Sequence, residues 1–304
     1  SEYYLRGIIM LNTISLWHIS IIVIDLIIAV IAISSIRHLQ GLLAGVNTTE
    51  ELSKKDNFAF GISIAGGALA VSLILFASVS GDASVSLLHE AGNVAVYALA
   101  GIIFLKVGTV INDAIIFHKI SLKEKIADKN ISAGVVQAAN MVALGIIIHS
   151  AMNWETTGNY SGLIAVTLVF LASQIILLIV TRLRGAIYKK RNDGKKLQDA
   201  LAGDNIALAI RYTGHIVGTA LALSAASGMV TFLPAELVRS IISWFAVAVI
   251  ITLLLSPLAT IARMVVLSGI DIVEEIDKQQ NVGVACIEAA IYIAIGFILK
   301  GLLG

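Results

Sequence analysis

Cysteine is nearly missing from this chain. Cys286 stands alone, which excludes an internal disulfide framework and a cysteine-rich metal site. Two prolines and 6% aromatic residues leave no room for collagen-like, proline-rich or low-complexity readings. Charge is scarce as well: 13% of residues carry it, against about 25% in an ordinary globular domain. The net charge of +1 gives no long-range attraction to nucleic acid. No glycine-rich phosphate loop, paired zinc ligands or nucleophile elbow is present, so neither an enzyme nor a bound cofactor is expected. Apolar residues take the vacated space. They make up 58% of the 304 residues and raise the mean hydropathy to +0.93. Such a surface belongs in lipid.

A helix needs about 20 apolar residues to cross a hydrocarbon layer of about 30 Å. Eight stretches meet that length, at 14–36, 58–79, 92–117, 131–152, 160–181, 205–230, 237–262 and 281–303. They are continuously apolar instead of alternating, which argues against a barrel. The fold class is therefore all-α, a polytopic membrane helical bundle of eight transmembrane helices. The first stretch is longer than a signal-peptide core and runs straight into Arg37, so it reads as a retained span, with Met10 a possible natural start.

Lys and Arg in the connections set the orientation. Fifteen lie in the linkers after spans one, three, five and seven, against three on the other side (Arg6, Arg239 and Lys300). Both termini are thus expected outside, with the linkers in the cytoplasm. Trp17, Trp154 and Trp244 all fall at the expected outer boundary, where amphipathic rings prefer to sit. The densest basic run, residues 182–196, contributes Arg182, Arg184, Lys189, Lys190, Arg191, Lys195 and Lys196. Beside an anionic leaflet each such residue adds about 1 kcal/mol of attraction. The run reads as a topology signal that faces lipid or a cytoplasmic partner. No aromatic platform accompanies it, so nucleic acid is not an expected partner.

The most specific signal is a fourfold internal repeat. Asn57, Asn130, Asn205 and Asn281 each open an even-numbered span, at separations of 73, 75 and 76 residues. Six positions earlier stand Glu51, Glu124, Asp199 and Glu275. Four positions later come Gly61, Gly134, Ala209 and Ala285, and nine positions later Gly66, Ala139, Gly214 and Ala290. Thirteen positions later come Ala70, Ala143, Gly218 and Ala294. The unit is an odd helix, a charged linker and an even helix. Two crossings return the chain to its starting side, so four parallel two-helix repeats result, at 14–80, 81–153, 154–230 and 231–304, after an extracytoplasmic segment 1–13. In lipid, small residues let helix backbones approach closely. The even helices are expected to pack centrally, covered by the odd ones. The asparagines read first as N-caps, with a ring around a pore mouth as the alternative.

These residues resemble the bacterial membrane family called domain of unknown function 350. The likeness covers nearly the whole chain, as four two-helix units or two four-helix halves. The third unit, GDNIALAIRYTGHIVGTALAL, is the most similar, and the second departs most, with Asn140 on its small-residue face. The resemblance implies a bacterial inner-membrane protein, in some relatives linked to envelope stress and membrane remodelling. It implies no activity or catalytic residue.

Ionisable groups within spans are costly and face a partner or a cavity. Their depths suggest the pairs Asp25–Lys106 and Arg211–Glu288, with His215 and Asn140 adding polar atoms on the even helices. Structural glue is the first reading and a proton relay the second. Arg263 reads as snorkelling to the interface. His149 and His215 lie about 13 Å apart along their helix axes at 1.5 Å per residue, too far for a shared haem. Function therefore reads as a membrane scaffold or envelope-stress component recruiting a cytoplasmic partner through basic linkers, with homo-oligomers possible. The alternative is an ion- or proton-coupled channel or transporter.

Overall fold

The computed structural model describes residues 16–80, 86–155 and 162–304. The expected segment 1–13, with Arg6 and Met10, lies outside them, as does the side chain of Trp17. Among the described residues, eight helices are long and apolar enough to cross a membrane. The odd-numbered spans are α1 (Leu16–Ala44), α4 (Leu87–Ile111), α7 (Gly162–Arg191) and α10 (Leu237–Val266). The even-numbered spans are α3 (Phe58–Val79), α6 (Ile131–Trp154), α9 (Ile206–Met229) and α11 (Val282–Leu303). Three linkers fold into one short helix each, α2 (Thr48–Ser53), α5 (Leu122–Ala127) and α8 (Leu197–Ala202). The fourth linker holds a π-helical turn, Val273–Lys278, and another such turn, Asn112–Ile116, ends α4.

The four even helices stand side by side in one open row, in the order α3, α6, α9, α11. They run the same way: Gly134 meets Ala59 and Gly145 meets Ala70, while Gly214 meets Ala289 and Gly218 meets Tyr292. All four helix starts therefore share one end of the molecule, the linker side. The odd helices pack over this row, α1 and α4 on α3 and α10 on α9 and α11.

Close approach explains the small residues. A Cβ on Gly218 would sit 2.6 Å from the Tyr292 carbonyl oxygen, and one on Gly145 2.7 Å from Ala70 Cα. Lipid tails are as apolar as the helices, so this backbone-to-backbone packing replaces hydrophobic burial as the cohesive force. The middle of the row is tightly enclosed, with Ala143, Leu144, Ala220, Ala222 and Leu223 fully buried. Mean hydropathy follows position in the row. The enclosed helices α6 and α9 have 1.9 and 1.4, while every other span has 2.2 or more. Helices shielded from lipid can carry polar residues.

The basic run is helical as far as Arg191, where α7 ends, and Lys195 and Lys196 lie beyond it in the turn before α8. Trp154 and Trp244 stand at the end opposite the linkers and turn inward, away from lipid. Both are buried, their rings 6.4 Å apart, and each donates its indole N–H inward, to the Val230 carbonyl and the Ser227 hydroxyl. They lock α6, α9 and α10 together at the end opposite the linkers.

Candidate functional site

Each repeat starts its even helix in the same way. The residue before the asparagine, Asp56, Lys129, Asp204 or Gln280, takes a positive φ of 47°, 63°, 62° or 57°. Non-glycine residues rarely adopt this conformation, so its recurrence at four matched positions marks one shared turn. The asparagine carboxamide oxygen then accepts from the N–H three residues on, at Phe60, Ala133, Leu208 and Val284. That is N-capping, which satisfies a helix N–H left without a partner. Because the helices form a row, the four asparagines do not ring a pore mouth.

The same side chains join neighbouring units. Asn57 Nδ2 donates to the Ile126 carbonyl at 2.9 Å, and Asn130 Nδ2 donates to Ala202 at 3.0 Å. Of the four repeated acids, Glu51 and Glu275 accept from their own asparagines, at 2.9 and 2.7 Å. Hydrogen bonds from Lys55 and Asn57 hold the Glu51 carboxyl below its ordinary value. Glu124 and Asp199 are exposed in the first turns of α5 and α8, where negative charge suits the helix dipole.

One concentration of buried charge stands out, at the linker ends of α9, α10 and α11. Glu288 is wholly buried. It accepts from Arg263 Nη1 at 2.8 Å, lies 2.9 Å from Arg211 Nε, and is 3.9 Å from His215 Nε2. Arg211 also donates to Asp277 at 2.9 Å, and the other Asp277 oxygen accepts from Asn192 Nδ2. Tyr292 closes one side. His215 meets its ring edge-on at 4.2 Å, and the Arg184 guanidinium lies 4.9 Å above it. A cavity of about 40 Å³ beside Arg211, His215 and Tyr212 has room for a couple of water molecules. The network thus ties α9, α10, α11 and the π-helical turn into one electrostatic knot.

Arg211 and Glu288 are therefore brought together. Among the described residues no ion pair joins Asp25 to Lys106: Lys106 is exposed on α4 and Asp25 is half-buried on α1. Asn140 stands apart from the knot, accepting from the Tyr212 hydroxyl at 2.8 Å. Arg263 does not snorkel, because Glu288 holds it. Arg182 and Arg184 are tied to neighbouring segments, exposed Arg182 to the Ile115 carbonyl and His118, and half-buried Arg184 to Ser256. Lys189, Lys190, Arg191, Lys195 and Lys196 stay exposed. Lys196 crowds Lys119, pushing the Lys119 ammonium below its ordinary value, so the linker face gathers like charge.

Asp277 escaped the sequence reading, although a signal was there. It stands four residues before Asn281, where the second and third repeats have Ile126 and Leu201. Comparing the halves extends the point. Aligning Asn57 with Asn205 and Asn130 with Asn281 sets Ser63 on Arg211 and Gln137 on Glu288. It also sets Asn112 on Arg263 and Ile126 on Asp277. The first half holds a neutral version of the charged knot.

Comparison with known proteins gives the halves a meaning. The family model described as Domain of Unknown Function (DUF350) matches residues 10–152 and again residues 159–303. A relative named UPF0719 transmembrane protein, from Aquifex aeolicus (strain VF5), is 26% identical over 114 residues. That stretch is 38% of this chain and 42% of the relative, so the chain matches less than half of the relative's length. No solved structure matches. The chain belongs to the Domain of Unknown Function (DUF350) family and carries the family's four-helix module twice in tandem.

Proposed function

We propose that this protein is a non-catalytic scaffold of a bacterial inner membrane, with both termini outside and the linkers in the cytoplasm. Copies join head to tail, and the basic linker face meets anionic lipid or a cytoplasmic stress or remodelling partner. The carrying observation is that the helix row is open at both ends. Within the chain, the small face of each even helix meets the next helix, as Gly66 meets Ala138 and Gly214 meets Ala289. On α11 the matching residues are Ala290 and Ala294, and both are exposed. At the other end Ala65 and Ser72 of α3, which match Ala138 and Gly145, are exposed too. The linker side repeats this logic. Asp204 accepts from Ser132 N–H of the preceding unit at 2.7 Å, and the Asp56 of a second copy would stand in the same relation to Gly283.

Disulfide trapping tests the scaffold. In a Cys286→Ala background, Ala65→Cys combined with Ala290→Cys is expected to give a ladder of linked chains in native membranes. Each single cysteine alone should give little product. A dimer from either single variant would mean a face-to-face contact, and no crosslink would remove head-to-tail assembly.

Transport is the second reading, supported by wholly buried Glu288 beside two arginines and a histidine. Beyond His215, however, α9 offers only the buried hydroxyls of Thr219 and Ser224, each donating to its own backbone at His215 and Leu221, with enclosed Ala220, Leu221, Ala222 and Leu223 between them, where a proton path would need a continuous polar track. Reconstituted vesicles holding a pH-sensitive dye are expected to show no proton flux. Flux that disappears with Glu288→Gln would replace the scaffold with a relay.

A further inference from the structure

The neutral half contains a vacancy where the charged half has a side chain. A cavity of about 140 Å³ lies at the linker ends of α1, α3, α4 and α6, against α5. Ser63, the counterpart of Arg211, lines it. Its residue is 1% exposed, yet its hydroxyl has no hydrogen-bond partner. Gln137, the counterpart of Glu288, donates to Gln40 Oε1 at 3.4 Å, which leaves its own amide oxygen available to a ligand. Asp113 brings a carboxylate to the same wall. Its oxygens accept from Leu122 N–H and the Ser121 hydroxyl, but no cation pairs with it among the described residues. Lys123 lines the rim, with its Nζ beside Gly45 at the end of α1. Phe60, Val110 and Ile126 supply apolar wall.

This inventory selects a ligand class. Three oxygen-bearing groups, one of them a carboxylate, face a space with apolar sides, while the Lys123 ammonium stands out at Gly45, so the occupant should donate hydrogen bonds, carry positive charge toward Asp113 and bear a short alkyl chain. A cavity near 150 Å³ holds about six heavy atoms, as the benzene-binding example shows. Among the described residues no group of His, Cys, Asp and Glu is suited to a metal ion. We propose that the first half binds a primary ammonium or guanidinium group in the place that Arg211 fills in the second half. The group comes either from an aminophospholipid headgroup or from a free alkylamine.

The test uses the full chain in detergent with butylammonium as probe, read by calorimetry. Wild type is expected to bind it saturably and at least tenfold more tightly than butanol or tetramethylammonium, neither of which offers an N–H donor. Ser63→Arg should abolish binding by filling the cavity from within. Asp113→Asn should weaken it at least tenfold while leaving an oxygen to accept from Leu122 N–H, so the α5 start survives. Nanodiscs then separate the sources. Butylammonium affinity reduced by phosphatidylethanolamine and not by phosphatidylcholine assigns the site to the lipid, and equal affinity in both assigns it to free amines. The proposal falls if wild type prefers butylammonium no more than butanol. It also falls if folded Asp113→Asn binds as wild type does.

Discussion

Glu288→Ala should destabilise the protein by about 3–5 kcal/mol, the range for removing one partner of a buried ion network. The loss comes less from the missing attraction than from what is left behind. Arg211 and Arg263 are both largely buried, at 8% and 14% side-chain exposure, and Glu288 lies within 3 Å of each. Without it two guanidinium groups face each other with only Asp277 to balance them. Denaturant titration in micelles, followed by fluorescence of buried Trp154 and Trp244, measures the change. The first half then supplies a rescue. The combination Arg211→Ser, Arg263→Asn, Asp277→Ile and Glu288→Gln installs the residues that the other module uses at the same four positions. A buried ion network replaced as a set by residues of similar volume is often neutral in stability; Ser and Asn are smaller and leave space, so this variant should recover part of the loss. If it proves no more stable than Glu288→Ala, the two modules are not interchangeable at this site.

Much of this architecture was readable in the residues, and the reasons differ by element. The eight spans follow from length and apolarity because lipid imposes both. The asparagine caps follow because an N-cap is a local device needing only its own first turn. The order of helices within the row had a quieter marker, the lower hydropathy of α6 and α9, since only enclosed helices tolerate Arg211, His215, Gln137 and Asn140 together. The Arg211–Glu288 contact could be guessed from shared depth. Depth says nothing about azimuth, however, and for that reason Asp25–Lys106 failed: the two lie on different odd helices whose rotation the sequence does not fix. Asp277 was hidden differently. It belongs to a linker by hydropathy, and only a π-helical turn carries it back under α9. The contacts of Arg182 and Arg184 with neighbouring segments depend on α7 continuing past the apolar stretch, a helix extension that a hydropathy count ends too soon.

Gly214→Leu should disrupt the fold at least as severely as the loss of Glu288, although no charge is touched. A Cβ there would overlap Ala289 Cα, a backbone atom that cannot rotate aside. Even Gly214→Ala should cost about 1–3 kcal/mol, as for overpacking in a tight core. Gly185 and Gly301 provide the contrast, being within helices but with nothing inside 4 Å of an added Cβ. There alanine should stabilise by about 0.5–1 kcal/mol, because glycine is the poorer helix former. Melting of the four variants in one detergent tests the ordering, and Gly214→Ala as harmless as Gly185→Ala would remove close packing as the cohesive force. A further consequence links this junction to the knot. Gly214 lies one helical turn from Arg211, and Ala289 is adjacent to Glu288, so pushing α9 and α11 apart also stretches the Arg211–Glu288 contact. Gly214→Ala and Glu288→Ala should therefore combine to less than the sum of their separate effects, since neighbouring sites that share an interaction are not additive. Full additivity would mean that the charge network holds α10 and the π-helical turn in place without clamping the helix row itself.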